Sequence, residues 1–175
     1  MREFSASPRR PFSPDRGDFG ARAEKTPPGS EQWRQPWVQI KYFSYHPCLY
    51  RSMIKAASPC AKAGALVHVY DKSGNPFGVA LYNRPARVPL RVLAHGDLEA
   101  DEQVLDKLLE NACALREDFL RLKETTDAYR VVHSDADSLS GLIVDRYGDT
   151  LSIEVHSLGI YQRLPRIIEK LHARL

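Results

Sequence analysis

Apolar and polar residues alternate along several short segments between residues 33 and 96, and this period of two is typical of β-strands. The segments are 37–43, 65–70, 77–82 and 87–93. Between the second and third lies Asp71-Lys-Ser-Gly-Asn75, whose residue types favour a tight turn and predict a hairpin. Pro89 predicts an edge strand or a bulge in the last segment, because proline has no N–H to donate. Short strands joined by tight turns predict a small β-barrel.

A spacing of three to four residues replaces the alternation between Asp101 and Leu122, which predicts a long amphipathic helix. Its apolar stripe is expected to contain Val104, Leu108, Ala112, Leu115, Phe119 and Leu122. Asp101 has the short carboxylate that suits an N-cap, and further acidic residues in the first turn suit the helix dipole.

Three further strands are predicted at 129–133, 142–146 and 151–155, followed by a last helix. That helix carries Leu164, Ile167, Ile168 and Leu171 on one face, with Pro165 in its first turn. A small sheet covered by one helix usually has more strands. We therefore expect this β-β-β-α unit to be part of a larger domain.

The fold class predicted is α+β, divided into three segments. Residues 1–32 are rich in Pro, Arg, Ser and Gly and are expected to form a disordered tail. Residues 33–96 form the barrel-like domain, and residues 97–175 form a partial α/β domain.

Charge is strongly segregated along the chain. Residues 32–96 carry nine basic side chains and one acidic side chain, Asp71, whereas residues 97–127 carry four basic and ten acidic side chains. A module of net charge +8 attracts polyanions, of which RNA or DNA backbones are the commonest. The alternative is that the +8 and −6 blocks attract each other within the fold.

Several functional classes find no support in the sequence. No apolar run is long enough to span a membrane. Cys48, Cys60 and Cys113 lack the pairing of a disulfide framework or zinc knuckle, which favours reduced thiols in a cytoplasmic protein. Glycine-rich nucleotide motifs are missing, so no cofactor site is expected.

Three motifs with a catalytic or metal-binding appearance are better explained otherwise. Asp135 and Asp137 begin a calcium-like loop, but Leu139 and Ser140 occupy positions that need an oxygen ligand and glycine. Ser52-Met-Ile-Lys55 matches SxxK without its companion motifs. Asp145-Arg-Tyr-Gly-Asp149 is interpreted as a hairpin, with Gly148 supplying backbone freedom. We predict no catalytic and no metal-binding residues.

The best candidates for RNA contacts surround the third and fourth of the early strands. Arginine offers a forked donor for phosphate, and a tyrosine ring can stack on an unpaired base. The candidates are Arg51, Lys55, Lys62, Tyr82, Arg84, Arg87 and Arg91. For any one of them the alternative is an ordinary solvated charge.

The stretch from Tyr129 to Asp149 resembles the central region of bacterial large-subunit ribosomal RNA (cytosine-C5) methyltransferases, the RlmI-like family. In that family a strand, an acidic loop ending in Leu-Pro-Gly and a strand ending in Asp-Arg-Tyr/Phe-Gly follow one another. Upstream, the similarity to the family's N-terminal PUA domain rests on His46-Pro47 with Tyr50, the Asp71–Asn75 hairpin, Tyr82-Asn83 and Arg91-Val-Leu93. The chain departs from the pattern at Cys48, where the family has Trp, and at Ser140, where it has Pro.

The resemblance implies a PUA-like RNA-binding domain and part of a central α/β domain. In the family a Rossmann-like domain binds S-adenosylmethionine and carries the catalytic cysteine, and this chain has no counterpart. We therefore expect a chain that binds RNA, in the first instance ribosomal RNA, and is inactive alone. The alternatives are a stand-alone, non-enzymatic RNA-binding or ribosome-associated protein, and a module that self-associates through its incomplete sheet.

Overall fold

The computed structural model describes residues 26–175, so most of the predicted disordered tail lies outside the described residues. A single 3-10 turn, Ser30–Gln32, precedes the first strand. Directly after it, the Trp33 ring stacks on the Tyr70 ring with centroids 4.3 Å apart and lies edge-on to Trp37. Packing of the chain against the rest of the molecule is therefore established by Trp33.

A six-stranded, curled sheet forms the first half of the molecule. Its strands are β1 (Trp37–Ile40), β2 (Cys48–Leu49), β3 (Ile54–Ala57), β4 (Ala65–Tyr70), β5 (Pro76–Tyr82) and β6 (Leu90–His95). The strand order is β2-β6-β5-β4-β1-β3, in which only β1 and β4 are parallel. The edge strands β2 and β3 are not paired with each other, so the sheet forms a half-barrel.

The predicted hairpin between β4 and β5 is confirmed. Asp71 Oδ1 accepts hydrogen bonds from the backbone N–H of Ser73 (2.8 Å) and Asn75 (2.9 Å), and Gly74 has φ +89°. These bonds to the charged carboxylate hold the pKa of Asp71 below its usual value, despite the opposing effect of burial. The position predicted for Pro89 is wrong, because β6 begins after it and is an interior strand.

Helix α1 (Glu102–Ala114) begins as predicted, with the Asp101 side chain accepting a hydrogen bond from the Gln103 N–H. The predicted stripe is partly wrong. The buried residues of α1 are Leu105, Leu109, Ala112 and Cys113. From Leu115 to Phe119 the chain becomes a π-helix, whose extra residue per turn rotates the helix face. Phe119 is consequently 80% exposed.

A three-stranded antiparallel sheet and two helices complete the molecule. The strands are β7 (Ala128–His133), β8 (Leu142–Tyr147) and β9 (Thr150–Val155), in that spatial order. They are followed by α2 (Leu158–Gln162), which was not predicted, and α3 (Leu164–Arg174), which has Pro165 in its first turn as expected. The α+β fold class is confirmed.

One hydrophobic core crosses the boundary predicted at residue 96. It contains Leu66, Val79, Leu81 and Leu93 of the first sheet together with Leu105, Leu109, Val131, Leu142, Ile160 and Leu171 of the second half. The opposite face of the first sheet packs a separate core around Val38, Leu49 and Val67. The two halves are therefore joined by shared apolar packing. Within residues 26–175 no helix is long and apolar enough to cross a membrane.

Candidate nucleic-acid interface

The connection between β5 and β6 holds two of the predicted RNA-binding arginines on the surface. The Asn83 N–H donates to the Pro89 carbonyl (2.7 Å) and the Ala86 N–H donates to the Asn83 carbonyl (3.0 Å), which folds the connection into a compact loop. Arg84 and Arg87 are exposed on this loop. Arg51 reaches the same loop, because its Nη2 donates to the Arg84 carbonyl at 3.0 Å.

The other four predicted residues are placed differently. Lys55 on β3 and Lys62 before β4 are exposed, but within residues 26–175 no hydrogen bond or ion pair joins either side chain to the β5–β6 loop. Tyr82 is only 4% exposed and packs in the core, so its ring face cannot stack on a base. The base-stacking role of Tyr82 is predicted from its position beside the arginines. The alternation along the strand gave no separate indication that its ring is exposed. Arg91 is half-buried and makes contacts within the fold.

Arg91 links the two sheets through uncharged partners. Its Nη1 donates to Ser140 Oγ (2.8 Å) and to Cys48 Sγ (3.4 Å), and its Nη2 donates to the His156 carbonyl (3.3 Å). Cys48 and Ser140, the two departures from the family pattern, thus lie together, with Sγ and Oγ 3.5 Å apart. The guanidinium is held in a fixed place, and no ion pair neutralises it among residues 26–175.

The cations of the first sheet are mostly left without acidic partners. Among the described residues, no ion pair involves the side chains of Lys41, Lys55, Lys62, Lys72, Arg87 or Arg91. Within residues 26–175, Arg34 before this sheet and His68 on β4 are the two basic residues of the first half that reach the acidic block, at Asp97 and Glu99. Mutual attraction of the two blocks therefore accounts for little of the segregation seen in the sequence.

The acidic block is instead neutralised largely by the second half of the molecule. The pairs are Arg163–Glu102, Arg166–Asp106, Lys170–Asp106, Lys107–Glu110, Lys123–Glu117 and Arg174–Asp118. Hydrogen bonds from Arg166 are the main reason why the pKa of Asp106 is lowered. Among the described residues, cations without an ion pair are thus concentrated in the first sheet and its loops, and the exposed Arg121 is the exception in the second half.

A cleft of about 240 Å³ lies between the β5–β6 loop and the connection from β9 to α2. Asn83, Arg87 and Arg91 line one side, and His156 and Ser157 line the other. Its lining contains no carboxylate. S-Adenosylmethionine carries a sulfonium, an ammonium and a carboxylate group, and this cleft offers arginines for the carboxylate but no acidic residue for the two cations.

Exposed aromatic residues near the other end of β5 were missed by the sequence reasoning. Tyr42, Phe43 and Tyr45 are each more than 60% exposed. Phe43 lies edge-on to Phe77, and Tyr45 lies edge-on to His95. The run of aromatic residues after Lys41 could have indicated this exposed cluster. It was overlooked because residues 37–43 are interpreted as a single strand.

The motifs set aside as non-catalytic have structural explanations. Asp145 binds Arg130 through two bonds of 2.8 and 3.0 Å, and Gly148 opens a two-residue hairpin with φ +59°. Cys113 is buried, and burial raises the pKa of its thiol to about 11, which makes it a poor nucleophile. Within residues 26–175 no group of three or more His, Cys, Asp or Glu side chains could hold a metal ion.

Residues 35–95 match the family described as a PUA-like domain. Over longer stretches the chain is similar to ribosomal RNA large subunit methyltransferases. It is 30% identical to the one from Deinococcus radiodurans over 133 residues, which are 74% of this chain and 33% of that protein. It is 26% identical to large subunit methyltransferase I of Vibrio cholerae, over 72% of this chain and 32% of that protein. It is 28% identical to large subunit methyltransferase I of Erwinia tasmaniensis, over 67% of this chain and 30% of that protein. The resemblance to the RlmI-like proteins is confirmed, and the chain spans about a third of the length of these relatives.

Two solved structures share the fold. A Streptococcus mutans protein described as a SAM-dependent methyltransferase aligns with TM-score 0.59 and 16% identity, over 79% of this chain and 37% of its own. A methyltransferase solved in complex with SAH aligns with TM-score 0.55 and 18% identity, over 79% and 36%. At these identities the similarity establishes the arrangement of strands and helices.

Proposed function

We propose that this chain is the RNA-binding N-terminal portion of a SAM-dependent ribosomal RNA (cytosine-C5) methyltransferase. Cofactor binding and methyl transfer belong, in this proposal, to residues outside the chain. The support comes from the PUA-like match and from relatives named as ribosomal RNA methyltransferases.

The single observation that carries the RNA-binding part is the set of unpaired cations on the first sheet. Phosphate groups bind lysine and arginine by releasing condensed counterions, which requires cations that no carboxylate already neutralises. Lys55, Lys62 and Arg87 meet this requirement within the described residues, and Arg84 and Arg51 lie on the same loop system as Arg87.

The test measures binding of a fluorescently labelled single-stranded RNA to the chain by anisotropy at several salt concentrations. We expect log Kd to rise linearly with log salt, with a slope that grows by about 0.7 for each phosphate contacted. Combined Lys55→Gln, Lys62→Gln and Arg87→Gln substitutions should lower the slope by roughly 2 if each side chain contacts one phosphate.

Two outcomes would contradict the proposal. Binding that is absent at low ionic strength would remove the RNA-binding function, and binding with no salt dependence would remove the role of the cations. The methyltransferase part is tested separately, by incubating the chain with ribosomal RNA and radiolabelled SAM. We expect no incorporation, and incorporation at cytosine would show that the chain itself holds a methyl-transfer site.

A further inference from the structure

We propose that the cleft between the β5–β6 loop and the β9–α2 connection binds one unpaired RNA nucleotide whose base carries an exocyclic amino group. The base enters the cleft and its phosphate lies at the rim on Arg87. This inference rests on the proposed RNA-binding function and adds to it a site that selects unpaired over paired RNA.

The size and walls of the cleft suit a single base. Its volume of about 240 Å³ is below the roughly 300 Å³ at which pockets for drug-sized ligands begin. Leu81, Val88, Pro89 and Leu158 supply apolar surface on both sides. Apolar side chains can contact the face of a base that has left a stack, and unpaired bases are what proteins usually recognise in single-stranded RNA.

Asn83 supplies the hydrogen-bonding group that reads the base. It lines the cleft, and its Oδ1 is buried without a hydrogen-bond partner among the described residues. Buried polar atoms are nearly always hydrogen-bonded, so this acceptor is suited to a donor from a ligand. The amino groups of cytosine, adenine and guanine are such donors, whereas uracil has no amino group and offers only its ring N3–H.

The charges at the cleft complement a phosphate group. Arg87 is exposed at the rim and makes no ion pair or hydrogen bond with any described residue. Arg91 also lines the cleft, where its guanidinium is held by Ser140, Cys48 and the His156 carbonyl, and the cleft lining contains no carboxylate. Two positive charges beside one cleft favour the binding of an anionic phosphate group.

The test compares two variants that change the cleft and leave every charge in place. Ala86→Trp fills the cleft from the half-buried lining residue Ala86, and Asn83→Leu removes the amide at nearly constant volume. We expect each to weaken binding of a labelled single-stranded RNA of mixed sequence by roughly tenfold, which is about 1.4 kcal/mol, with the salt slope unchanged. The same variants should bind a duplex of that sequence as the wild type does.

Titration with mononucleotides provides a second readout that needs no variant. In NMR spectra of the wild-type chain, cytidine 5′-monophosphate should shift the amide signals of Asn83, Gly159 and Ser157, and uridine 5′-monophosphate should bind more weakly. If the wild type binds no RNA, the proposed function fails. If it binds RNA while Ala86→Trp, Asn83→Leu and the mononucleotides change nothing, the proposed function stands and the nucleotide site is wrong. Loss of folding in one variant, seen by circular dichroism, leaves the other variant and the titration to decide.

Discussion

The two halves of this molecule use their basic residues in different ways. In residues 97–175 every arginine except the exposed Arg121 is paired with a carboxylate, as in Arg116–Asp137, Arg130–Asp145 and Arg166–Asp106. In the first sheet Arg87 and Arg91 face a cleft with no carboxylate. The same residue type therefore stabilises one half and leaves the other half positively charged, and only the partners distinguish the two uses.

The largest effect on stability is expected where a pair is buried. The side chains of Arg116 and Asp137 are 11% and 9% exposed, with Nη1 and Oδ1 2.6 Å apart, and Asp137 also accepts the His133 N–H. Asp137→Ala leaves a buried guanidinium uncompensated and should lower the free energy of unfolding by about 3–5 kcal/mol in urea titrations. The matched control Lys72→Ala removes an exposed, unpaired cation and should stay within about 0.5 kcal/mol. Equal losses in the free energy of unfolding for the two variants would contradict the difference between paired and unpaired charges.

The two halves differ in charge, but they share one hydrophobic core and should therefore fold together. Leu93 lies on β6, is 3% exposed and packs in the core that contains the second sheet. Leu93→Ala should lower the free energy of unfolding by about 2–5 kcal/mol, because apolar burial is lost and a cavity is left. Tryptophan fluorescence, which reports Trp33 and Trp37 of the first half, and far-ultraviolet circular dichroism should shift together in one transition. Two separate transitions would contradict a shared core.

His68, which lies 3.9 Å from Glu99 of the acidic block, should make the stability of the protein depend on pH. Burial, and then the nearby charge of Arg34, lower the pKa of His68, while Glu99 opposes the shift. The unfolded chain then binds the proton more tightly than the folded protein does. Stability is therefore fully present above the unfolded pKa of about 6.5 and is lost as pH falls through the lowered folded pKa. His68→Gln should flatten this part of the profile, and an unchanged profile would exclude His68 as its source.

The smallest effect is expected for an exposed pair. Arg166 is about half exposed and contacts Asp106 with Nη2 and Oδ2 2.5 Å apart. Because solvent screens this pair, Arg166→Gln should lower the free energy of unfolding by only about 0.2–1 kcal/mol. A loss as large as that for Asp137→Ala would mean that exposure does not separate the pairs.

Local sequence patterns predicted most of the strands, because alternation and turn residues act over a few neighbouring positions. Ala65–Tyr70 and the Asp71 turn were predicted correctly, and so was the Asp101 cap. The strands β2 and β3 were not predicted, because two to four residues are too few for a period to show. The stripe failed from Leu115 onward, since one extra residue in a π-helix changes the face without changing composition.

The candidate site was predicted only in part, because long-range contacts decide which charges remain available. Arg84 and Arg87 are exposed as expected, whereas Arg91 is engaged by Ser140, forty-nine positions away along the chain. The burial of Tyr82 follows from its contribution to a core that includes β1, β2 and β4. Likewise, the cleft joins Asn83 to His156, and no spacing rule relates residues so far apart in sequence.

Unpaired cations of the first sheet should bind RNA, whereas paired cations of the second half should not. The most direct test compares Arg87→Gln with Arg166→Gln, which remove the same charge, by measuring the salt dependence of single-stranded RNA affinity. We predict that Arg87→Gln weakens RNA binding and lowers the slope of log Kd against log salt concentration by about 0.7. Arg166→Gln should leave the affinity and the slope at their wild-type values. Equal losses of RNA affinity for the two variants would show that net charge alone drives binding. That result would contradict a separate role for the unpaired cations of the first sheet.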